Sequence, residues 1–97
     1  MERTIKPIEL KQLKDVVIVD VRREADFIVG PPMIEGALRK QPEAVNGWAD
    51  ELPKDREVVV YCARGGSVSN AVLDTLLEKG IKARYVEGGI EAWKKEA

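Results

Sequence analysis

The 97 residues are 44% hydrophobic and 34% charged, the balance of a folded globular domain and not of a disordered or membrane chain. With 16 basic side chains against 17 acidic ones, no global field draws the chain to nucleic acid or anionic lipid. A single cysteine rules out an internal disulfide, and the absence of histidine removes an ordinary zinc ligand set and any Ser-His or Cys-His nucleophile pair within the chain.

Met1 to Pro7 carries no apolar run of the signal-peptide kind. Nowhere does an apolar run approach the roughly 20 residues of a membrane helix. The expected address is therefore cytoplasmic, and the expected organisation is one domain over residues 1–97 acting as a monomer. Pro7 opens a short helix through Ile8, Leu10 and Leu13. Val16-Val17-Ile18-Val19 is a β-branched run ending at Asp20, and its lack of alternation predicts a strand buried on both faces. Arg23 to Ile28 forms a brief helix stopped by Gly30-Pro31-Pro32, and Met33 to Leu38 is a loop feeding a short strand. Pro42 begins a helix running through Val45, Trp48, Ala49 and Leu52 to Pro53.

Glu57 to Tyr61 is a second buried-strand pattern, with Cys62 at its carboxyl end. Ala63-Arg64-Gly65-Gly66-Ser67 then forms a loop, and Val68, Ala71, Val72, Leu76 and Leu77 recur at helical spacing up to a C-capping Gly80. Ala83 to Val86 is a further strand, and Gly88-Gly89 leads into a last helix containing Ala92 and Trp93. Strands alternating with helices in this way predict an α/β domain. Its mostly parallel sheet has about five strands, counting short ones near Thr4-Ile5 and Ala37-Leu38, with helices on both faces.

Ligands of such sheets bind outside the carboxyl ends of strands. Cys62 stands at such an end, and Gly65 and Gly66 let the following backbone curl and turn N–H groups inward. A helix N-terminus stabilises an anion by about 0.3–1 kcal/mol, so N–H contacts and Arg64 must add to it to favour a thiolate. The same cradle suits a thiolate, a persulfide or an oxyanion. A cysteine ending a strand can also be an inert buried residue. The double glycine, the adjacent arginine and the helix start favour the nucleophile. The loop lacks the lysine and hydroxyl of a nucleotide P-loop. Asp20 and Arg22, at another strand end, are open to a catalytic reading or to a structural one as an ion pair fixing the turn. Trp48 and Trp93 read as core or half-buried packing residues.

Five segments together resemble the rhodanese-like sulfurtransferase family. Val17 to Arg22 is similar to the family's hydrophobic-DVR strand end, and Glu24-Ala25-Asp26-Phe27 to the acidic-aromatic helix after it. Ile34 to Leu38 resembles its H-I-P-G-A segment, with Met33 at the histidine position and Glu35 at the proline. Val60-Tyr61-Cys62 and its loop resemble the active-site strand and loop, and Glu87 to Trp93 the closing GG-x-x-A-W signature.

The resemblance implies a double displacement through a Cys62 persulfide and no cofactor. A small sulfur donor such as thiosulfate supplies the sulfur, and an external thiol, a protein or cyanide accepts it. It implies persulfide binding by Ala63, Arg64, Gly65, Gly66, Ser67 and Val68, with Arg64 meeting an anionic donor. Ser67 and Val68 stand where many members end the loop with arginine. A phosphatase or arsenate reductase of this fold needs C-x5-R, and that arginine position is Val68. A persulfide carrier and a non-catalytic interaction module are also compatible with these residues. The lone cysteine provides no resolving thiol, so the acceptor comes from outside.

Overall fold

Five short strands, β1 Thr4–Ile5, β2 Val17–Asp20, β3 Leu38–Arg39, β4 Val58–Tyr61 and β5 Ala83–Val86, form the sheet. Their order is β1-β5-β4-β2-β3, and every pairing is parallel. The computed structural model describes residues 2–96. Helices α1 Pro7–Gln12, α2 Glu24–Val29, α3 Val45–Trp48, α4 Ser67–Glu78 and α5 Gly89–Lys95 connect and cover the strands. Among the described residues no helix is long and apolar enough to cross a membrane.

β4 lies between β2 and β5, and all four of its residues are buried. Side chains alternate across a strand, so Val58 and Val60 enter one apolar cluster while Val59 and Tyr61 enter the other. The first cluster includes Trp48, Val72, Leu73 and Leu76; the second includes Ile5, Leu10 and Ile90. A strand with apolar layers on both faces needs no polar alternation, which is why its sequence reads as a continuous run. Each fully buried valine contributes about 1.5–3 kcal/mol relative to exposure.

β2 differs from expectation. It runs from Val17 to Asp20, and Val17 and Ile18 are only partly buried. The cause is the short neighbour β3, which pairs with Val19 and Asp20 alone. The expected helix from Pro42 to Leu52 is also broken up. It consists of a 3-10 turn at Pro42–Ala44, the single α-turn of α3, and a second 3-10 turn at Ala49–Glu51. The segment instead follows its anchors: Val45, Trp48, Ala49 and Leu52 are buried, and the Trp48 indole donates to the Gln41 carbonyl at 2.7 Å.

α4, the longest helix among the described residues, buries Val72, Leu73 and Leu76 against the sheet. Gly80 (φ +79°) ends it in a Schellman motif. The Gly80 N–H donates to the Leu77 carbonyl at 3.0 Å and the Ile81 N–H to the Leu76 carbonyl at 3.1 Å. Its N-terminus starts at Ser67, earlier than the helical spacing indicates. Ser67 therefore joins Val68 in the first helical turn and does not end the preceding loop.

Candidate active site

Cys62 directly follows β4 and is 5% exposed. The chain after it turns through Ala63, Arg64 and Gly65 to Gly66, the N-cap of α4. Among the described residues no side chain caps that helix, so its first-turn N–H groups remain available to an anion beside the thiol.

The Cys62 segment is held from the other side by α5. The Ile90 N–H donates to the Cys62 carbonyl at 2.9 Å and the Glu91 N–H to the Ala63 carbonyl at 3.3 Å. This approach is close enough to dictate two glycines. At Gly65 (φ +69°) an added Cβ would lie 2.8 Å from the Gly88 nitrogen. At Gly89 (φ +65°) it would lie 2.5 Å from the Cys62 carbonyl oxygen. Gly66, by contrast, faces open space. Of the two loop glycines that stand out in the sequence, Gly65 is the one the packing requires.

Cys62 lines a cavity of about 800 Å³, together with Ala63, Arg64, Gly66, Ser67 and Val68. Gly65, grouped with these residues in the sequence, is not on the lining and packs instead against Val86 and the Gly88-Gly89 turn. The remaining walls come from α2 and the turn after it (Asp26, Val29, Pro31) and from α5 (Glu91, Lys94, Lys95). The α5 residues fall at i, i+3 and i+4, the spacing of one helix face, and that is their only sequence signal. Arg64 is turned outward: its side chain is 85% exposed, and its Nε pairs with Glu91 Oε2 at 3.0 Å.

Asp20 and Arg22 are fully buried and bonded to each other. Arg22 Nη2 and Nε donate to Asp20 Oδ2 at 2.7 and 3.0 Å, and the Arg22 backbone N–H donates to Asp20 Oδ1 at 3.0 Å. Arg22 Nη1 reaches the Pro31 carbonyl at 2.7 Å, while Phe27 packs on the guanidinium at 5.0 Å. The pair therefore ties the end of β2 to the Gly30-Pro31 rim of the cavity.

Tyr61, one residue before Cys62, has a connection that its place in an apolar run conceals. Its hydroxyl accepts the Ile34 N–H at 3.0 Å. Burial pushes its pKa well above the usual tyrosine value and the Asp20 charge adds to this, against the opposing effect of the Ile34 hydrogen bond. Tyr61 is a neutral phenol that anchors the segment corresponding to the altered H-I-P-G-A stretch.

The family model of the rhodanese-like domain matches residues 6–96. The chain belongs to the rhodanese-like domain family. This rhodanese-like chain is 36% identical over 85 residues to a sulfurtransferase of Allochromatium vinosum, covering 87% of this chain and 77% of that one. It is 34% identical over 87 residues to the thiosulfate sulfurtransferase GlpE of Coxiella burnetii, covering 89% and 78%. Among solved structures, a rhodanese-related protein from Thermoplasma volcanium superposes with a TM-score of 0.84 at 28% identity, covering 99% of this chain and 94% of that one. A rhodanese-like domain protein from Staphylococcus aureus gives a TM-score of 0.80 at 31% identity, covering 95% and 91%. The rhodanese-like α/β fold expected from the sequence is the fold observed.

Proposed function

We propose that this rhodanese-like domain is a sulfurtransferase that carries sulfane sulfur on Cys62. The observation that carries this reading is the placement of the chain's only thiol on a cavity wall, beside the uncapped first turn of α4. In the first half-reaction the Cys62 thiolate attacks the outer sulfur of a donor such as thiosulfate. The Sγ–S bond forms as the donor's S–S bond breaks, and sulfite leaves with the electron pair. In the second, the thiolate of an external thiol or protein, or cyanide, attacks the outer persulfide sulfur and restores the Cys62 thiolate.

The loop and the first turn of α4 play a binding role. Backbone N–H groups of Ala63 to Val68 stabilise the anionic sulfur, and Ser67 contributes a hydroxyl where many relatives place an arginine. Asp20 and Arg22 position the cavity rim and take no part in bond making. No cofactor enters either step. The domain works as a cytoplasmic monomer, without nucleic-acid or membrane partners.

Intact mass after brief exposure to excess thiosulfate tests the reading, with Cys62→Ser alongside. The expected result is a gain of one sulfur atom, absent from the variant and removed by cyanide or a thiol. No gain with thiosulfate, 3-mercaptopyruvate or organic persulfides would overturn it.

A further inference from the structure

The cavity beside Cys62 holds more than a bare sulfur anion needs. It is a cleft partly open to solvent, and its volume of about 800 Å³ lies within the roughly 300–1,000 Å³ of clefts that bind organic ligands. Thiosulfate would leave most of it empty.

The charges on its walls are not equally free. Arg22 is occupied by Asp20 and the Pro31 carbonyl, and Arg64 is held outward by Glu91. Among the described residues, neither Lys94 nor Lys95 has a carboxylate within ion-pair distance. Both stand in the last turn of α5, where a cation also complements the helix dipole. That accounts for their helix position, but not for Val29, an 83% exposed valine that lines the same cavity. The carboxylates on the walls are Asp26, also on α2, and Glu91, which is paired with Arg64. The walls thus combine an apolar surface with two uncommitted cations away from the loop, a lining suited to a molecule with a carbon skeleton and a carboxylate remote from its reacting sulfur.

We infer that the cavity selects carboxylate-bearing organic persulfides as donors over thiosulfate and neutral persulfides, with Lys94 and Lys95 holding the carboxylate. This rests on the sulfur-transfer reading above. The Cys62 thiolate attacks the terminal sulfur of R–S–SH. The new Sγ–S bond forms, the donor S–S bond breaks, and the thiolate R–S⁻ leaves with the electron pair while the proton stays on the transferred sulfur.

The test compares two donors of similar size, the persulfides of 3-mercaptopropionate and of 2-mercaptoethanol, which differ in the carboxylate. The readout is the ratio of their kcat/KM values for loading Cys62, followed by intact mass. The native protein is expected to prefer the carboxylate donor. The double variant Lys94→Gln/Lys95→Gln is expected to lower the ratio about three- to tenfold, chiefly through KM, as befits two solvent-exposed charge contacts. Asp26→Asn removes an opposing charge and is expected to raise the ratio about twofold. A ratio near one in the native protein, or a ratio unmoved by both variants, would overturn the inference while leaving sulfur transfer intact. Failure of every donor, thiosulfate included, to load Cys62 would overturn the sulfur-transfer reading and the inference with it.

Discussion

Replacing Gly89 by alanine probes the joint between α5 and the Cys62 loop. Gly89 has φ +65°, and the new Cβ would lie 2.5 Å from the Cys62 carbonyl oxygen and 2.6 Å from the Ala63 carbonyl carbon and oxygen. All three atoms are backbone, so no rotamer change relieves the contact. Reaching an ordinary separation of 3.4 Å requires the loop and helix to part by about 0.9 Å. A left-handed alanine costs about 1–2 kcal/mol by itself. The separation also weakens the hydrogen bonds from Ile90 and Glu91 to the Cys62 and Ala63 carbonyls, worth about 0.5–1.5 kcal/mol each. The total is about 2–5 kcal/mol. Gly36→Ala is the control, because Gly36 has φ +85° with nothing within 4 Å of the added carbon. It incurs the backbone strain without the collision. Urea unfolding of both variants should show Gly89→Ala the less stable by about 1–3 kcal/mol. Sulfur loading of Cys62, followed by intact mass below the unfolding transition, should slow by up to about 100-fold in Gly89→Ala, since a displacement near 1 Å can cost that much. Equal stabilities, with native loading in Gly89→Ala, would refute the coupling between the Gly-Gly turn and the cysteine loop.

Arg22→Met should destabilise the fold by about 3–5 kcal/mol, because it strands the Asp20 carboxylate in a fully buried site. Adding Asp20→Asn should recover part of that loss in a double-mutant cycle by urea unfolding; strictly additive costs would show that the pair is not coupled. Tyr61→Phe should cost about 1–3 kcal/mol at neutral pH by removing the acceptor of the Ile34 N–H. Its alkaline behaviour should differ too. Above about pH 10 the unfolded phenol releases a proton that folded Tyr61 retains, so native stability falls by about 1.4 kcal/mol per pH unit from this group. Stability against pH from 9 to 11 should therefore be flatter in the variant, and parallel curves would refute the assignment. Ser69→Ala should hold or raise stability, by up to about 1 kcal/mol, because the buried Ser69 hydroxyl has no hydrogen-bond partner among the described residues. A loss above about 1 kcal/mol in thermal unfolding would contradict this.

Where a feature depends on a local run of residues, it can be read from the sequence. The β-branched stretch of β4 is apolar on both sides because both faces are covered, and a cysteine at its carboxyl end follows from where the run stops. Asp20 and Arg22, two residues apart at a strand end, can be anticipated as a pair. The Arg22 contact to Pro31 cannot, since it depends on how the Gly30-Pro31-Pro32 segment folds back. The break-up of the segment after Pro42 is hidden for a related reason. Its apolar positions suit a helix, and only the docking of Trp48 and the Gln41 carbonyl selects the 3-10 turns around it.

The cavity shows most clearly what local reading misses. Arg64 is the charge beside Cys62 in the chain, and so the natural choice to meet an anionic donor. Yet Glu91, brought in by the docking of α5, pairs with it at the surface. The same docking carries Lys94 and Lys95, more than thirty positions beyond Cys62, onto the cavity wall. Gly89 is what permits the approach, because any side chain there would collide with the Cys62 and Ala63 backbone. One glycine thus permits the close approach of the loop that carries the thiol to the helix that carries the lysines. A substitution at Gly89 should therefore alter donor preference as well as loading rate, whereas Lys94→Gln/Lys95→Gln should alter preference with little change in stability.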